Sequence, residues 1–82
     1  MPTVGRIDGL RIVIWTNDHR PAHVHVIGPD GEAVFNLNCP EGPPELRESM
    51  GFRLAELREI EATLASQLGD LCRSWSEIHG DY

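Results

Sequence analysis

The chain contains no lysine: all seven of its basic side chains are arginine, set against thirteen acids, for a formal charge of −6. The shortfall of positive charge argues against broad nucleic-acid binding, because a phosphate backbone is held by clustered cations that displace its counterions. The balance is also uneven. Residues 1–40 carry Asp8, Asp18, Asp30 and Glu32 against Arg6, Arg11 and Arg20, while the remainder carries nine acids against Arg47, Arg53, Arg58 and Arg73. A local site built from arginine and histidine is still compatible with this distribution. No apolar run approaches the ~18 residues a membrane helix needs, and the N-terminus lacks a basic stretch leading into an apolar one. Cysteine is scarce too. Cys39 and Cys72 stand in no metal-like spacing and read as two unrelated thiols of a reducing compartment, so a cytoplasmic protein is expected. Aromatics make up only 6% of the chain.

With 82 residues there is room for one domain, 1–82, with a core of two packed layers and a net stability of about a few kcal/mol. Leu10-Arg-Ile-Val-Ile-Trp15 is β-branched and aromatic and reads as a strand. Thr3 to Ile7 pairs with it across Asp8-Gly9, a strong two-residue turn. His23-Val-His-Val-Ile27 alternates with period two, and Pro29-Asp-Gly31 turns it back into Glu32–Leu37. The expected sheet, over about residues 3–38, is an antiparallel meander of three to four strands. A loop follows over 39–52, within which Glu45 to Met50 reads as one helical turn.

From there the period changes. Leu57, Ile60, Leu64, Leu68, Leu71, Trp75 and Ile78 step by three or four and fall within an arc of about 80° at 100° per residue. The stripe keeps its phase through Gly69, which predicts one long C-terminal helix from about Arg53 to His79, with a kink at Gly69 left open and Asp70 as the cap of a second helix the alternative. The fold class is thus α+β, a meander packed against one helix. Trp75 lies in the stripe and belongs to the core. Trp15 is either core rim or an exposed anchor for a partner.

Chemistry is concentrated in Asn17-Asp18-His19-Arg20-Pro21-Ala22-His23-Val24-His25-Val26, which holds three of the four histidines. On a strand His23 and His25 share one face, about 6.5–7 Å apart, while Val24 and Val26 face the helix. The imidazoles then stand on the open sheet face, with Asp18 and His19 in the loop able to fold over them. Three readings fit. His23 and His25 with His19 or a carboxylate have the ligand types of a divalent metal such as zinc. A histidine pair with Asp18, with Arg20 or Arg11 steadying an anion, has the parts of an acid–base site. The third reading is plain: polar side chains on a half-wet sheet surface or at an interface. His79, near a helix end, reads as a favourable charge against the dipole.

Several stretches together resemble a known family. They are Met1-Pro2-Thr3-Val4, Arg6-Ile7-Asp8-Gly9-Leu10-Arg11, Asn17-Asp18-His19, Pro21, His23-Val24-His25-Val26, Gly31-Glu32-Ala33, Gly51-Phe52, Glu56-Leu57-Arg58, Ile60 and Trp75. They resemble the domain of unknown function 4160 family of small bacterial proteins, over nearly the whole chain. The resemblance implies a toxin-like member of a toxin–antitoxin pair, whose partner is a small antitoxin-like protein of the domain of unknown function 2442 family. It marks Asp18, His19, Pro21, His23 and His25 as the functional stretch. A small metal-dependent hydrolytic enzyme using the same histidines and a non-catalytic interaction module are the alternatives. A homodimer is left open. Family members often carry serine where this chain has Arg53, which puts the helix N-cap in doubt.

Overall fold

The computed structural model describes residues 3–82, so the resemblance at Met1-Pro2 lies outside the described part. Five strands, β1 (Thr3–Ile7), β2 (Leu10–Val13), β3 (His23–Ile27), β4 (Glu32–Asn36) and β5 (Glu45–Met50), form one antiparallel sheet in the order β1-β2-β3-β4-β5. Two helices follow, α1 (Leu54–Ser66) and α2 (Leu68–His79). The α+β meander is as expected, but the counts differ: five strands rather than three to four, and two helices rather than one.

The expected β1–β2 hairpin is present. Asp8 and Gly9 both take positive φ, 43° and 86°, the geometry of a two-residue turn whose twist matches the strands it joins. The extra strand is β5, where a helical turn was expected. All six of its residues are exposed, so it shows none of the alternation that marks a half-buried strand. What makes it a strand is the free edge of β4, whose backbone groups it pairs from Glu32↔Met50 to Asn36↔Glu45; tertiary pairing outweighs the local preference. The chain then leaves through Gly51, which has φ 87° and sits where a Cβ would collide with the Asp30 carbonyl. No other residue fits that approach.

The helical stripe is real, with Leu57, Ile60, Leu64, Leu71 and Trp75 buried. The break falls at Gln67 (φ −111°, ψ 12°), two residues before Gly69. One non-helical residue, whose N–H is shared between the Thr63 and Leu64 carbonyls, bends the axis without rotating the apolar face away from the sheet. At the start of α1 the missing serine is offset by Glu56, which accepts a 2.9 Å bond from the Arg53 N–H and so supplies the returning half of a capping box.

Ile12, Ile14, Val24, Val26, Phe35 and Leu37 from the sheet meet Leu57, Ile60, Leu64, Leu71 and Trp75 from the helices. Val24 and Val26 therefore point to the helices as the alternation predicted. Cys39 and Cys72 are not free thiols. They form a disulfide, which ties the loop after β4 to α2 and removes the ground on which a reducing compartment was inferred. Spacing in sequence could not show this, because the pair is brought together by α2 folding back over the sheet. No helix among the described residues is long and apolar enough to cross a membrane.

The bridge spans 33 residues, and closing a loop of that length constrains the unfolded chain by roughly 3–4 kcal/mol. Reduction is accordingly expected to lower the urea midpoint sharply. Equal midpoints for the reduced and oxidised protein would show that the bridge contributes nothing.

Candidate metal centre

Strand pairing sets the surroundings of β3. His25 lies opposite Val13 of β2 and Val34 of β4, and His23 lies opposite Asn36. These side chains occupy the sheet face away from the helices. That face is less open than expected: His23 is only 5% exposed and His25 is half-buried. The cover comes from two places.

One is the loop between β2 and β3, which folds back on itself. Asp18 Oδ2 accepts the Trp15 N–H at 2.9 Å while the Asp18 N–H donates to the Trp15 carbonyl at 3.1 Å. This pair of hydrogen bonds pins the carboxylate over the two imidazoles. Its Oδ1 lies 3.5 Å from His23 Nε2, and its Oδ2 lies 3.2 Å from His25 Nε2.

The other cover is the end of α2 and the residues after it. The Trp75 ring packs on His23 at 5.2 Å and on His79 at 4.2 Å between centroids. His79 Nε2 donates to the Trp15 carbonyl at 3.0 Å, which closes a circuit of rings, since Trp15 also meets His25 edge-on at 6.4 Å. Trp75 Nε1 donates to the Asp81 carbonyl at 2.6 Å, and the Ala22 N–H donates to the Tyr82 carbonyl at 3.2 Å. His79 is thus a strut between α2 and the loop rather than a helix-dipole partner alone. Trp15, 37% exposed, is the rim of the site.

The hydrogen bonds orient one ring. A carbonyl can only accept, so His23 Nδ1, 2.9 Å from the Pro21 carbonyl, donates there, and Nε2 is the ring atom turned towards Asp18. His25 has no such anchor: its Nδ1 is buried without a partner among the described residues. One atom each from Asp18, His23 and His25 lie within 4.8 Å of one another. Two imidazole nitrogens and one carboxylate, with one imidazole oriented by a backbone carbonyl behind it, form the donor set of a divalent-metal site with open positions.

Of the residues singled out in the sequence, Asp18, His23 and His25 come together. His19 and Arg20 line the mouth of the same cleft, of about 290 Å³, without joining the cluster. Both are exposed, and Arg20 pairs weakly with Asp81 at 3.8 Å. Arg11 sits one row away on β2, opposite Ile27. Arg47 and Glu48 of β5 also line the cleft and were invisible in the sequence because β5 was. Trp75 and His79, at i and i+4, were legible as helical neighbours, but nothing local shows that they reach β3.

A family model described as domain of unknown function (DUF4160) matches residues 9–76. The chain belongs to the DUF4160 family. The part of it that matches this DUF4160 pattern includes Asp18, His23, His25 and Trp75, whereas His79 and the residues that follow lie beyond the match. No curated protein and no solved structure matches the chain.

Proposed function

We propose that this protein binds one divalent metal ion through Asp18, His23 and His25, and that this site is its working centre. The observation that supports it is the convergence of one ligand atom each from Asp18, His23 and His25 within 4.8 Å of one another, with the His23 ring turned inward by its Nδ1–H bond to the Pro21 carbonyl. Two imidazole nitrogens and a carboxylate gathered so closely, with one ring oriented from behind by a backbone carbonyl, match the donor set of a divalent cation. Zinc and ferrous iron both take two imidazoles and one carboxylate. A bound ion of this kind supplies Lewis acidity and an activated water, the basis of a small hydrolytic enzyme. Within the chain, His23 and His25 hold the ion, Asp18 neutralises half its charge, and Trp75 and His79 shield one side from water.

The same cluster supports a second reading. A proton in place of the metal makes Asp18, His23 and His25 an acid–base relay. The biological setting proposed is the one the family resemblance implies: a bacterial, toxin-like protein held in check by a small antitoxin-like partner of the domain of unknown function 2442 family.

Titration of the purified, metal-stripped protein with zinc or cobalt(II), followed calorimetrically and by the cobalt absorption bands, tests the metal. One ion per chain is expected, lost in Asp18→Asn/His25→Ala. An active protein that takes up no stoichiometric metal would favour the acid–base relay instead.

A further inference from the structure

Of the two helices, α2 is the one less able to hold itself in place. It has 12 residues, a length at which an isolated helix is marginal in water. Its first turn contains Gly69, a poor helix former, and no side chain caps its N-terminus. The non-helical Gln67 separates it from α1, so rotation there moves α2 and leaves α1 where it is.

What holds α2 is tertiary. Leu71 and Trp75 are buried in the core, the His79 ring donates to the Trp15 carbonyl, and the Cys39–Cys72 bridge ties its second turn to the loop after β4. The two ends of that bridge differ. On the Cys39 side the loop closes on itself without help from the sulfurs. The Asn38 amide donates to the Pro43 carbonyl at 2.8 Å and to Glu45 Oε1 at 3.1 Å, and the Gly42 N–H donates to the Asn38 carbonyl at 2.7 Å. Cys39 is half-buried in this loop, whereas Cys72 is 3% exposed. A thiolate approaches from the Cys39 side, and once the bond is gone the loop keeps its shape while α2 has lost its staple. Trp75 lies about one turn beyond Cys72, and His79 one turn further. Trp75 backs the His23 ring and His79 packs on Trp75, so the staple stands next to the cover of the histidine centre.

We propose that the Cys39–Cys72 bridge is a redox latch on that cover, opened by a dithiol reductant. One thiolate of the reductant attacks Cys39 Sγ and expels the Cys72 thiolate. The second thiol displaces Cys39 from the mixed disulfide, so the reductant leaves as a cyclic disulfide and its two protons end on the two cysteines. α2 then swings about Gln67, and Asp18, His23 and His25 lose the Trp75 and His79 side of their enclosure. The inference rests on the metal reading for what exposing the histidines does, and on the fold alone for the latch.

Hydrogen exchange of the oxidised and the reduced full chain, across a urea series below the unfolding midpoint, tests it. A phosphine serves as reductant, so that no added thiol competes for zinc. Reduction destabilises the whole domain and speeds the sheet amides too; what decides is the rate of the Leu71–His79 amides relative to the slowest sheet amides. In the oxidised protein the two sets should exchange together. In the reduced protein the α2 amides should run ahead by at least about tenfold, the effect of freeing the short flexible segment from Gln67 to Cys72 from its tether. Cys39→Ser, which breaks the bridge at its more exposed end and leaves Cys72 in the core, should behave as the reduced protein with or without reductant. Equal rates for α2 and the sheet after reduction, or a chain already unfolded by it, overturns the inference. Transfer of zinc from the loaded protein to a competing chelator should quicken by a similar factor on reduction and in Cys39→Ser. Unchanged transfer from a protein whose α2 has loosened also overturns the inference, because the cover then guards nothing. If the protein takes no zinc, the metal reading fails by itself, and the exchange ratio alone decides the latch.

Discussion

Trp75→Ala is expected to lower the unfolding free energy by about 3–5 kcal/mol, most of what a domain of this size holds. Trp75 is fully buried and joins three parts of the molecule. It belongs to the cluster under the sheet, it backs the His23 ring, and its indole N–H holds the Asp81 carbonyl. Alanine removes all three at once and leaves a cavity where α2 meets β3. Trp75→Phe separates the contributions, since it keeps most of the apolar volume and loses only the indole donor. The phenylalanine variant should stay folded with a modest loss, while alanine brings the urea midpoint close to zero. An alanine variant within about 1 kcal/mol of wild type would remove Trp75 from the core.

The next largest effect is expected at the two histidines of β3, and it differs between them. His25→Ala should reduce metal affinity by more than the 10- to 100-fold typical of losing a mere supporting group, with a small change in stability. His25 Nδ1 has no partner to lose, and its ring is half-buried. His23→Ala should lose the metal and also cost roughly 1–3 kcal/mol, because it deprives the Pro21 carbonyl of its donor and Trp75 of a packed ring. In the proposed toxin setting both variants should abolish growth arrest on expression without the partner gene. Full arrest by a folded His25→Ala protein would return the histidines to a structural role.

Much of the architecture is legible wherever a pattern is local. Asp8-Gly9 fixes a hairpin by its φ preferences alone. The alternation of His23–Ile27 sorts valines from histidines because one face meets the helices and the other meets the loop that carries Asp18. The Asp18-to-His25 stretch announces itself since its ligand types lie within eight positions. What escapes is whatever depends on a distant surface. β5 is a strand because β4 offers an edge, and its six exposed residues carry no period. The Cys39–Cys72 bridge and the packing of Trp75 on His23 both follow from α2 crossing back over the sheet. The break at Gln67 is silent because a one-residue bend leaves the stripe in phase. His19 and Asp18 are neighbours of equal promise in the sequence, and only the turn that returns the Asp18 carboxylate to the Trp15 N–H separates them.

The cover that α2 and the following residues lay over β3 also sets a clock. The histidines of β3 are made early, and the groups that enclose them, Trp75, His79 and the Asp81 and Tyr82 carbonyls, are made some fifty residues later. At about 5–20 residues per second, the sheet can pair strand by strand as it emerges, each with the one before it, while Asp18, His23 and His25 stay open to water for several seconds more. The centre is thus completed only once α2 has followed the sheet, and a growing chain carries its ligands long before it carries a finished site.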